Sequence, residues 1–255
     1  MWKLFSVPLH ACHRGKSMNR KIVSQIALGA FTLSLVLVAV WPAQAQAAKD
    51  PYPKMAPLDQ YLMADRNAEI ALARSAAPES ISRDATVGVL GPHGYETAVE
   101  GKNGFVCIVE RAWMNRFDSP EYWNPKNRSP ICFNPPAARS VLPITYLRTN
   151  LVLAGKSKAE VRESIEAALA RKELAGLEPG AMCYMMSKNA YLTDDDGHNL
   201  AHIMFFTTVL DGAALGAGLP GSPVIMFKGD PESIGGFIVG TGMWSDGTRA
   251  PLISE

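Results

Sequence analysis

The sequence predicts an α+β domain built on a mainly antiparallel sheet, with two principal helices and a single core. Three observations carry that reading. β-prone segments come in neighbouring blocks instead of alternating one by one with helices. Two stretches carry helix-forming patterns with start and stop signals. The 255-residue chain, less an N-terminal export signal, is long enough for one well-buried core.

The signal comes first along the chain. Between Met1 and Ala47 stand five basic residues, Lys3, Arg14, Lys16, Arg20 and Lys21, and no acidic one. An apolar run over residues 26–41, interrupted only by Gly29, Thr32 and Ser34, leads into Ala43-Gln44-Ala45-Gln46-Ala47. A basic region, an apolar region and a small-x-small cleavage site define a secretory signal peptide, residues 1–47, whether translation starts at Met1 or Met18. The run is shorter than the ~20 apolar residues a bilayer span takes, and no later stretch reaches that length, so no transmembrane segment is expected after signal removal. The expected location is periplasmic or extracellular. Of 25 basic residues five leave with the signal, so 20 stand against 24 acidic ones. That balance, without a basic patch, argues against nucleic acid as a partner.

Residues 48–57 carry Pro51, Pro53 and Pro57 and read as an extended tether to a single domain over residues 58–255. Asp59 is the expected N-cap of a helix running to about residue 76, ended by Pro78. Residues 86–90, 95–100 and 105–113 are β-prone, separated by Gly91-Pro92-His93-Gly94 and Gly101-Lys102-Asn103-Gly104. They predict a three-stranded meander whose second turn is a type I′ hairpin at Asn103-Gly104. In the third strand Phe105, Cys107 and Val109 face one way and Val106, Ile108 and Glu110 the other, without polar alternation, which marks a central strand covered on both faces. Glu110 and Arg111 at its end read either as an ion pair at the sheet rim or as an acid perturbed by a buried face.

Residues 115–143 are dense in Pro, Asn, Ser and Arg and read as one long loop bearing Phe117, Tyr122, Trp123 and Phe133. Ser157-Lys158-Ala159-Glu160 is a capping box opening a helix with Val161, Ile165, Ala168 and Leu169 along one stripe. Residues 181–187, 202–210, 224–227 and 237–239 are the remaining expected strands. A turn-rich stretch at 193–199 and a glycine-rich one at 211–222 lie between them.

Candidate chemistry is sparse. Outside the signal there are three cysteines, Cys107, Cys132 and Cys183. In an oxidising compartment Cys107 with Cys132 would pin the long loop to the central strand; buried free thiols are the alternative. His198 and His202, four apart and next to Asp196, bring imidazole and carboxylate groups together as a divalent metal site requires. A solvated turn followed by an ordinary strand histidine is the plainer reading. No Gly-x-Ser-x-Gly, His-Glu-x-x-His or phosphate-binding glycine loop occurs in residues 48–255.

Gly94-Tyr95-Glu96-Thr97-Ala98-Val99-Glu100-Gly101, Pro130-Ile131-Cys132-Phe133-Asn134-Pro135, Met185-Met186-Ser187-Lys188 and Leu219-Pro220-Gly221-Ser222-Pro223 resemble motifs of a group of exported bacterial proteins with no assigned activity. The resemblance implies the compartment and supplies no reaction or cofactor. In that group the segment matching residues 197–204 is similar to Gly-His-Trp-His-Pro-His-x-Met, and this chain lacks the middle histidine, the tryptophan and the proline.

Two functions follow. The first is a non-catalytic domain binding a small ligand or envelope component, through Tyr122 and Trp123 as exposed aromatics of the long loop and through the glycine-rich loop. The second is a metal-dependent hydrolase using His198 and His202, with Asp196 as ligand or base. Whether the domain is an enzyme stays open at this level, and no cofactor is expected on the first reading.

Overall fold

The β-branched and aromatic runs form eight strands: β1 (Thr86–Gly91), β2 (Gly94–Val99), β3 (Val106–Glu110), β4 (Ser129–Phe133), β5 (Met182–Met185), β6 (His202–Thr207), β7 (Val224–Phe227) and β8 (Gly235–Gly240). The computed structural model describes residues 50–195, 200–209, 211–229, 231–232 and 234–251, and Ala48–Glu255 forms one compact unit. The stretch read as an export signal, residues 1–47, lies outside the described residues, as do Asp196 and His198.

The strands make a single sheet in the order β2-β1-β3-β4-β5-β6-β8-β7. Every neighbouring pair is antiparallel except β1 with β3, which run parallel. The α+β class with a mainly antiparallel sheet therefore holds. Five α-helices lie among the described residues: α1 (Arg66–Arg74), α2 (Glu79–Ser82), α3 (Pro135–Ser140), α4 (Leu142–Leu153) and α5 (Lys158–Ala170).

Three local expectations are corrected. First, β1, β2 and β3 are not a meander. The β1–β2 hairpin turns at Pro92-His93, but β3 pairs on the far side of β1, so the connection from β2 crosses the start of β1. Only Gly104 is left-handed there (φ 76°), whereas a type I′ turn needs positive φ at both central residues. The crossing is tight: Lys102 and Asn103 donate their backbone N–H groups to Asp84 O, at 2.8 and 3.3 Å. A Cβ at Gly101 would collide with the backbone of Ala85 and Thr86.

Second, α1 starts later than Asp59 suggested. Residues Leu58–Gln60 form one 3-10 turn, and Asp65 is the cap, its carboxylate accepting from the N–H groups of Asn67 (2.8 Å) and Ala68 (3.2 Å). The Ser157 capping box at the head of α5 is formed as expected.

Third, residues 115–143 are not one loop. They contain the fully buried strand β4, helix α3 and the start of α4. Pro135 and Pro136 open α3 and Pro143 opens α4, where a missing N–H and a fixed φ cost nothing. The tether at residues 50–57 lacks regular structure yet is held: Tyr52, Met55 and Ala56 pack on a buried cluster, and the Tyr52 hydroxyl donates to Asp194.

The sheet separates two cores. On one face Val87, Cys107, Val109 and Cys132 pack with Ala73, Ala76 and Ala77 of the α1 region. On the other, Ile108, Ile131, Phe133, Cys183, Met185 and Met204 pack with Ala137 and Leu142. A third cluster, containing Trp113, Tyr122, Trp123, Val152, Val161 and Ile165, seats α4 and α5.

Candidate functional site

The alternation of β3 sends Glu110 to the same face as Ile108, beneath α4. There a cavity of about 180 Å³ opens between the sheet and the first turns of α4. Its floor is Ile131, Phe133, Met204, Phe206 and Phe227, and its wall is Val141, Ile144, Thr145 and Arg148. Residues 114–116 and the β7–β8 connection, including Lys228 and Glu232, complete it. Sheet and helix supply mainly apolar surface with a few polar groups among it, which is the composition of a small-molecule site.

Arg148 is the best-held of these groups. It is 4% exposed, and its Nη1 donates to the carbonyls of Trp113 (3.2 Å), Met114 (3.4 Å) and Asn115 (3.2 Å). Its Nη2 pairs with Glu232, and its guanidinium lies 4.4 Å from the centroid of Phe117. Its Nε has no partner among the described residues, and neither does the buried Nδ2 of Asn115. Both orphans are hydrogen-bond donors sealed within the protein beside the cavity.

Glu110 accepts from the Thr145 hydroxyl at 3.1 Å. Burial among apolar side chains pushes its carboxyl up to about 7, with the Thr145 hydrogen bond and the Arg148 charge pulling it the other way. An acid whose pKa is raised on folding destabilises the folded state as pH climbs from its unfolded value towards 7. Glu110→Gln is therefore expected to stabilise the protein by about 3 kcal/mol at pH 8 and to change little at pH 4. Urea denaturation at the two pH values measures this, and an equal effect at both would show that Glu110 titrates normally.

The neighbouring Arg111 turns to the opposite side. Its Nη2 meets Glu69 of α1 at 2.8 Å, its Nε donates to Tyr61 O at 2.7 Å and its Nη1 to Val109 O. Glu110 and Arg111 are thus not a rim pair with each other.

The residues singled out from the sequence are distributed differently. Cys107 and Cys132, directly opposite each other on β3 and β4, form a disulfide; Cys183 is a buried free thiol whose pKa burial raises. That bond joins two strands, where the sequence suggested a strand and a loop. Tyr122 and Trp123, expected as exposed contact makers, are buried at 0% and 6% exposure. They meet edge to face at 4.6 Å, Phe117 stacks on Tyr122, and Tyr61 donates its hydroxyl to Trp123 O at 2.7 Å. The local reason is hydrophobic: with Trp113, 5.1 Å from Tyr61, five aromatic rings close to one another bury more area together than any could on the surface.

His202 is buried on β6 with its Nδ1 2.6 Å from Leu200 O, and burial lowers its pKa, favouring the neutral ring. Its expected partners Asp196 and His198 are not described, and among the described residues no cluster of three metal-ligating side chains occurs. The glycine-rich stretch lies against the edge strand β7, where Gly212, Ala217 and Gly218 share a shallow depression with Val224 and Met226, instead of over the cavity. Of the cavity's polar residues, sequence reading flagged Glu110 alone. Arg148, Thr145 and Asn115 carry no motif, although a lone arginine inside an apolar helical run was a signal available to be read.

The chain matches no protein-family model, no curated protein and no solved structure. Its site is read from its own geometry.

Proposed function

We propose that the chain is an exported domain that binds a small, largely apolar ligand in the cavity between the sheet and α4. The observation that carries this reading is the cavity itself, a mainly apolar space between sheet and helix lined by a buried carboxyl forced towards neutrality, Glu110. A buried carboxyl costs stability, and an unfilled apolar cavity beside it gains nothing for the fold. Export is supported by the basic and apolar leader and by the Cys107–Cys132 disulfide, a bond that persists in oxidising compartments. No helix among the described residues is long and apolar enough to cross a membrane.

The cavity's volume is somewhat larger than the ~150 Å³ that admits benzene in an engineered apolar cavity, which sets the scale of suitable probes. In a titration with toluene, benzamide and benzoate, at least one should shift the side-chain methyl resonances of Ile131, Ile144 and Met204 saturably. Val141→Trp, which fills the cavity from the helix side, should abolish the shift while circular dichroism stays unchanged. If no probe perturbs these methyls, or if Val141→Trp leaves the response intact, this cavity is not the binding site.

A further inference from the structure

Resting on that reading, we infer that the ligand is a small monoamine with an apolar body, its ammonium group paired with Glu110 Oε2 and its body lying over Ile131 towards Phe133. Glu110 is enclosed by apolar side chains but not sealed: part of its surface stays accessible, and it lines the cavity. Its Oε1 accepts from Thr145 at 3.1 Å, whereas Oε2 accepts from no group among the described residues and is not one of the unpartnered atoms shut off within the protein. Oε2 is thus an open acceptor, and a ligand that meets it must bring a donor.

Position along the sheet gives the ligand its shape. Glu110 stands opposite Ser129, and Phe133 lies four residues further along β4, about 13 Å away by the rise of a strand. Ile131 lies between them on the same side, and the rings of Phe133 and Phe206 are nearly parallel, at 17° and 6.4 Å. One end of the cavity therefore carries the acid and the other the aromatic rings, which suits a molecule with a single polar head.

The charges select a cation. Of the five charged residues of the lining, Arg116 pairs with Asp118 and Arg148 with Glu232. Lys228 is exposed, where solvent screens it, and is not among the charges that act on Glu110. The Glu110 carboxylate is left without a counter-ion of its own, a costly arrangement in apolar surroundings that one ammonium group corrects. A proton corrects it equally, so amine and proton compete for the same group. The groups that bear on Glu110 from the surrounding elements are Thr145 and Arg148 of α4, Tyr95 of β2 and Cys183 of β5. Burial raises Tyr95 and Cys183 above their ordinary values, so both stay uncharged at pH 8, and it lowers His202 of β6, which is neutral from pH 7 upward.

Calorimetric titration of the full chain with benzylamine, benzyl alcohol and toluene separates the class of ligand from the existence of the site. At pH 8 benzylamine should bind about tenfold more tightly than either neutral probe, the margin of a charge-assisted hydrogen bond over a neutral one. Below pH 7 its affinity should fall about tenfold per pH unit as protonated Glu110 accumulates, while the amine itself stays charged as a lysine does. Buffers of different ionisation enthalpy should report release of about one proton on binding at pH 5.5 and almost none at pH 8.5. Glu110→Gln, expected above to be the more stable protein, should bind benzylamine no more tightly than benzyl alcohol and without pH dependence. Benzyl alcohol or toluene matching benzylamine at pH 8, or a pH dependence that survives in Glu110→Gln, would overturn the amine proposal and leave the cavity as a binding site. Absence of binding by all three removes both.

Discussion

Arg111→Ala should lower the unfolding free energy by about 3–5 kcal/mol, the loss expected when one partner of a buried ion pair is removed and the other is left uncompensated. Both side chains are almost completely buried, at 0% and 2% exposure, and the pair is embedded in further bonds. Glu69 Oε1 also accepts the backbone N–H of Leu90 at 3.1 Å, and Arg111 holds the carbonyls of Tyr61 and Val109. The pair thus joins α1, β1, the end of β3 and the turn before α1. Because replacing both charges by apolar groups removes the orphan, Glu69→Met with Arg111→Leu should recover a large part of the loss. Urea denaturation of the two variants measures this. A loss below 1 kcal/mol in Arg111→Ala, or a double variant no better than the single, would mean that the carbonyl contacts and not the ion pair hold the region.

The second large effect belongs to the disulfide. Cys107→Ala with Cys132→Ala should cost about 3.5 kcal/mol, the loop-closure entropy of a 25-residue separation. Reduction of the native protein should give a loss of the same order, smaller by what the two buried sulfurs contribute to packing. The comparison matters because the double substitution also removes two buried sulfurs from the α1 face, whereas reduction does not. If reduction leaves the unfolding midpoint where it was, the bond is not formed in the molecule in solution, and the export reading loses one of its two supports.

Much of the fold was legible where local chemistry decides structure. The capping box of α5, the Pro92-His93 hairpin and the two-sided character of β3 all rest on neighbours in sequence, and each is present. What was hidden depends on partners far along the chain. Helix α4 shows almost no apolar stripe because it is covered on several sides, by the sheet, by α5 and by the turn after β3, so periodicity could not reveal it. Its opening proline, and those of α3, read as loop residues although they stand at positions that suit proline. The parallel placement of β3 beside β1 was equally invisible, since Asn103-Gly104 signals a turn and not the side to which the chain returns. The site suffered most. Glu110 drew notice as an acid on a buried face, but its partners Thr145 and Arg148 come from α4, and only the assembled fold brings them together.

Strand β3 serves two masters at once. Its odd-numbered side chains Cys107 and Val109 belong to the α1 core and the even-numbered Ile108 and Glu110 to the cavity, so a slip of one residue would exchange a sulfur for a carboxylate. The covalent tie to β4 forbids that slip. It behaves as a registration pin driven through the back of the sheet, fixing from behind where the acidic group emerges in front. A change of redox environment on one side would thereby be felt as loosened aim on the other.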